Sequence, residues 1–106
     1  MAWVFLIVAG GLEVVWAFFM KQSEGFTRPL PAAITIVAMI ASFALLSWSM
    51  RTLPLGTAYT IWTGIGAVGA FVVGILVLGE QASAMRIAAA LLIVGGLVLM
   101  KLSSQG

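Results

Sequence analysis

The chain has 106 residues, of which 63% are apolar and 8% charged, and its mean hydropathy is +1.23. A soluble domain carries roughly a quarter charged residues, and the apolar surface left over here would form patches far larger than a water-exposed monomer tolerates, so the solvent is lipid. Cys and His are both missing, which excludes disulfides, thiol and imidazole metal sites and the commonest general base. Neither a metal nor a cofactor is expected. Five basic residues against three acidic ones read as charges flanking membrane spans, not as a nucleic-acid footprint.

A bilayer core needs about 20 apolar residues per helix. Residues 1–106 therefore read as a single all-α transmembrane domain of four helices with short connections, over about 2–20, 30–50, 56–78 and 84–101. Ala2–Met20 is long enough to span, lacks a basic start and carries an acid in its middle, so it reads as a retained helix and not as a signal peptide. Lys21 closes it, and Gln22 to Pro29 form a polar turn. Leu30–Met50 is the second span, ended by Arg51. Pro54 and Gly56 mark a tight turn before the third, which Gly79, Glu80 and Gln81 close. The fourth is the weakest, because Ile87–Met100 alone covers about 21 Å. Arg86 and Lys101 can snorkel outward, and Ala82–Met85 can add a turn.

With the N-terminus on one side, that side receives Arg51 and Lys101, and the other receives Lys21, Arg28 and Arg86. Three against two is almost no instruction for orientation. One reading is that this bias still suffices. The other is that the chain inserts both ways and pairs with an inverted copy. Four short helices make a bundle too thin to enclose a polar pathway, and transporters commonly build a midplane site from inverted repeats.

Glu13 alone among the charged residues stands away from a helix end, near the bilayer midplane. Intramembrane acids usually face a partner or a water-filled cavity. A carboxyl there can hold either a proton or a cation, and that competition is the minimal physical basis for exchange. The bland alternative is a protonated Glu that bonds neighbouring helices. Ala9, Gly10, Glu13, Trp16 and Ala17 share one helical face by their spacing. Trp16 offers an indole N–H or a π-face, whereas Trp3 and Trp48 suit the interfacial belt.

On the third helix Tyr59, Trp62, Gly66 and Ala70 share a face, and buried phenol and indole groups seek acceptors, for which Glu13 is the obvious candidate. Gly64, Gly66, Gly69 and Gly74 suit close packing or a hinge. Ser42, on a face with Met39 and Leu46, either reaches a carboxylate or ligand or bonds back to its own helix. Ala88, Ala89, Leu92 and Gly96 form a small-residue seam suited to dimerisation.

Together, Trp-Ala following Glu13-Val14-Val15, the loop Lys21 to Arg28, Pro54 to Tyr59 and Ile61 to Ala67 resemble the small multidrug resistance family along essentially the whole chain. Trp16 one turn after the acid, with Trp62 to Ala67, resembles its guanidinium-exporting subtype. The resemblance implies a dual-topology, antiparallel homodimer in the bacterial inner membrane that exchanges guanidinium for protons. Glu13 would then be the shared proton and substrate site, lined by Trp16, Ser42, Tyr59 and Trp62. The family often shows two glycines seven residues apart on the fourth helix; here those positions hold Ala89 and Gly96. Guanidinium is planar, weakly hydrated and rich in donors, so a carboxylate and aromatic faces both suit it.

Three other readings stay open from the sequence: a broad quaternary-ammonium exporter, a passive cation pore, and a non-transporting membrane subunit. An enzyme is not expected, since no nucleophile–base pair, metal cluster or phosphate loop is present.

Overall fold

A backbone in lipid has no water to satisfy its polar groups, so each apolar run closes its hydrogen bonds within itself as a helix. In the computed structural model, which describes residues 1–103, the runs form α1 (Ala2–Gln22), α2 (Pro29–Ser49), α3 (Leu55–Leu76) and α4 (Ala84–Ser103). All four are long and apolar enough to cross a membrane. The short fourth run gains length at both ends: α4 has 20 residues, about 30 Å at the helical rise.

Proline and glycine set the boundaries. Pro29 opens α2 behind an extended Arg28, where its fixed φ and missing N–H suit a first helical position. Pro54 is likewise extended, immediately before α3. Between α1 and α2 the chain reverses through Glu24, Gly25 and Phe26, all in the left-handed region with φ of 51°, 74° and 67°. Two of these are not glycine, so local bonds must hold them. The buried Ser23 hydroxyl donates to Met20 O at 2.6 Å and accepts the Phe26 N–H at 3.1 Å. Thr27 Oγ1 donates to Glu24 O at 2.9 Å.

α1 packs along both α2 and α3, whereas α4 packs its backbone against α3 alone. Leu6, Ala9, Leu46, Leu53, Ala58, Ile61 and Trp62 make the small core. The Cα frame is only 16 Å thick against a length of 42 Å. It is a slab, and its broad faces, including most of α4, turn apolar side chains outward.

Helix approach is set where glycine replaces a side chain. A Cβ at Gly10 would stand 2.7 Å from Ile65 Cγ2. Leu97 of α4 rests on Gly64 in the same manner, as Val14 of α1 does on Gly69. The glycine load of α3 thus admits neighbours on two sides, within a helix that runs unbroken from Leu55 to Leu76. Ala89 and Gly96 lie on the exposed surface of α4.

The end of the slab where α1 begins and α2 and α4 finish carries cations laid over aromatic rings. Arg51 sits 4.8 Å from the centroid of Trp48, and Lys101 sits 4.5 Å from that of Trp3. These tryptophans place their rings at the level of charged helix ends, as interfacial residues do.

Candidate functional site

Glu13 stands midway along α1, and its carboxylate lies directly on the backbone of Gly66 in α3. The glycine admits it: any side chain at position 66 would collide with Glu13 Oε1. That oxygen is buried and has no hydrogen-bond partner among the described residues, and the same holds for Trp16 Nε1 one turn further on. An unpaired buried polar atom is expensive, so a site containing an orphan acceptor and an orphan donor is built to engage something further. A cation with N–H groups completes the carboxylate; the indole complements it with a donor or a π-face.

Ser42 and Trp62 form a separate chain of bonds beside the acid. The Trp62 indole donates to Ser42 Oγ at 2.9 Å, and Ser42 Oγ donates across to Ala9 O on α1 at 2.7 Å. Both side chains are buried. The Trp62 donor expected at Glu13 is therefore taken by Ser42, which faces it from α2. Ser42 in turn bonds to neither the carboxylate nor its own helix, because the Ala9 carbonyl lies opposite. The chain ties α1, α2 and α3 together one turn below Glu13. Ser42→Ala would leave the buried Trp62 N–H without an acceptor, and we expect it to destabilise the protein by about 1–3 kcal/mol. Thermal unfolding in detergent reads that loss.

The aromatic residues continue from one to the next. Trp16 meets Phe43 with ring centroids 6.3 Å apart, Phe43 meets Trp62 at 5.6 Å, and Trp62 meets Tyr59 at 5.7 Å. Such separations lie within the range of favourable ring contacts. Phe43 is the member that sequence reasoning missed. Its spacing of four residues from Met39 was the available signal, but the stripe through Ser42 and Leu46 drew the assignment away. Tyr59 is 54% exposed and belongs to this arc through its ring. Its hydroxyl is not joined to Glu13.

The five candidate side chains thus fall into two groups on one side of the bundle. Glu13 and Trp16 present unsatisfied polar atoms, while Ser42 and Trp62 are bonded to each other and Tyr59 flanks them. Phe43 bridges the groups.

The chain is similar to known proteins along nearly its whole length. A family model described as Small Multidrug Resistance protein matches residues 1–93. The chain is 60% identical over 105 residues to a guanidinium exporter of Citrobacter freundii, covering 99% of this chain and all of that protein. Over the same coverage it is 59% identical to a guanidinium exporter of Salmonella typhi and 56% identical to one of Escherichia coli strain K12.

Proposed function

Because the chain belongs to the small multidrug resistance family, we propose that it exports guanidinium or small guanidinyl cations in exchange for protons, as an antiparallel homodimer in the bacterial inner membrane. The observation that carries this reading is the Glu13 carboxylate, held at mid-membrane on Gly66 with one oxygen buried and unpaired. The names of full-length relatives at 56–60% identity favour guanidinium as the cation. A planar, weakly hydrated cation suits aromatic faces, and Trp16, Phe43 and Trp62 form a continuous run of them.

Thickness and charge support the dimer. A slab of 16 Å leaves its polar site close to a surface, and an apolar broad face needs covering by lipid or by protein. A second copy in inverted orientation would cover it and bring a second Glu13 to the centre. Two such carboxylates would titrate as a pair. Exchange then needs one rule: the pair holds protons or the cation, not both.

That rule makes affinity depend on pH with a definite sign. Where the carboxyls are deprotonated, guanidinium affinity is independent of pH. As pH falls through their titration, protons occupy the site and the apparent affinity weakens by about tenfold per pH unit for each proton displaced. Calorimetric titration of the detergent-solubilised protein with guanidinium, over about three pH units around neutrality, reads the slope. A dissociation constant that stays flat throughout would remove the shared site.

A further inference from the structure

A second cluster of charge and aromatic surface lies away from Glu13, at the end of the slab where α1 and α3 finish. There the two helices bound a cleft of about 390 Å³. One wall is the α1 stripe Val14, Ala17, Phe18 and Lys21; the other is Ala67, Ala70, Phe71 and Gly74 of α3. Both stripes repeat at three and four residues, so each is one helical face. Glu80 and Arg86 also line it and, with Lys21, are exposed at its mouth. The inner end is walled by Val14 and Ala67, the neighbours in sequence of Glu13 and Gly66.

Glu80 is positioned there by the way α3 ends. After Leu76 the chain turns through Gly79, with φ of 70°, and the Glu80 N–H returns to Gly74 O at 2.9 Å. This lays the carboxylate along Gly74, where a Cβ would stand 2.5 Å from Glu80 Oε1. Among the described residues Glu80 has no ion-pair partner within 4.0 Å.

Arg86 shows which chemistry this mouth accepts. Its guanidinium carbon stands 5.3 Å from the centroid of Phe71, and Nη1 donates to Gln81 O at 2.9 Å. A guanidinium group, tethered to the chain, thus lies over an aromatic face and on a carbonyl, in a cleft that also contains a carboxylate without an ion pair. The free ion has the same plane, the same donors and the same charge. Lys21 opposes any cation there, so binding must be weak and exchangeable, as suits a site of passage.

We propose that the mouth of this cleft is an outer guanidinium site formed by the Glu80 carboxylate, the Phe71 ring and the Gln81 carbonyl, the last two of which Arg86 covers with its own guanidinium until the free ion displaces it. This rests on the guanidinium transport proposed above. In an antiparallel pair one such mouth stands at each membrane face, so the ion is gathered on one side and shed on the other through the same residues. The attraction of a carboxylate at the rim acts on the rate of encounter and weakens with ionic strength.

The test is guanidinium-evoked current from proteoliposomes on a supported membrane, for the native chain, Glu80→Gln, Phe71→Leu and Arg86→Gln, at low and high salt. Glu80→Gln is expected to raise the half-saturating concentration about fivefold at low salt, with little difference from native at high salt and a maximal current within about twofold of native. Phe71→Leu, which keeps the bulk but loses the ring face, should move it in the same direction. Arg86→Gln should lower it, because the internal competitor is gone. Unchanged half-saturation in Glu80→Gln and Phe71→Leu beside a transporting native chain overturns the outer site and leaves the function intact. A native chain that does not move guanidinium overturns both. If the Arg86→Gln effect follows the anionic lipid content of the vesicle and is indifferent to Glu80, the mouth holds a lipid phosphate and the proposal is wrong.

Discussion

Glu13→Gln is expected to bring guanidinium-driven current down to background while the protein keeps its fold and at least its native thermal stability. Gln has the size and shape of Glu and can rest on Gly66 as the carboxylate does. What it loses is the negative charge and the capacity to exchange a proton. The remaining acids, Glu24 and Glu80, lie in connecting segments, so no second carboxylate stands at mid-membrane to take over. A neutral amide also avoids the penalty of a charge buried in lipid, hence the retained stability. The pairing of these two outcomes separates the shared site from a packing role. If Glu13 merely joined helices, transport would survive and unfolding would come earlier.

Gly66→Ala is the second substitution with a large expected effect. The new methyl would stand where Glu13 Oε1 lies, so either the carboxylate must leave its seat or α1 and α3 must move apart. Overpacking of this kind costs about 1–3 kcal/mol, and transport should fall by more than about tenfold, because the carboxylate leaves the geometry that binding requires. Gly11→Ala is the matching control. Gly11 faces open space, and alanine there is neutral or slightly favourable by helix propensity. Thermal unfolding and guanidinium current, measured on both variants, give the comparison. Equal behaviour of the two would mean that the contact between Glu13 and Gly66 has no part in function.

These two residues also show where sequence is informative and where it falls silent. The four spans were readable because lipid demands long apolar runs, and Lys21, Arg51, Pro54 and Arg86 mark their limits in plain view. Glu13 was conspicuous for the same reason, as a charge where charge is costly. Partners were another matter. Periodicity groups residues by helical face, as it does for Trp62 and Ser42, yet it does not say how those helices rotate against each other. The bond from Trp62 to Ser42, and from Ser42 to Ala9, depends on that rotation, and Glu13 was assigned a donor that Ser42 holds. Phe43 was passed over because one helical stripe was chosen above its neighbour. The reach of Leu97 onto Gly64 needed the helices placed in space, since a stripe of small residues looks alike whether it meets its own chain or another.

The central claim is that one carboxylate site serves protons and guanidinium by turns, and obligatory coupling tests it most directly. Purified protein is reconstituted in liposomes that contain a pH-sensitive dye, and an outward guanidinium gradient is imposed with no initial proton gradient and the voltage clamped by an ionophore. The account predicts that guanidinium leaving the liposomes drives protons inward and acidifies the lumen against the gradient it creates, and that Glu13→Gln liposomes stay at their starting pH. Guanidinium release with no accompanying change of luminal pH would contradict it, and would make the protein a passive path for the cation.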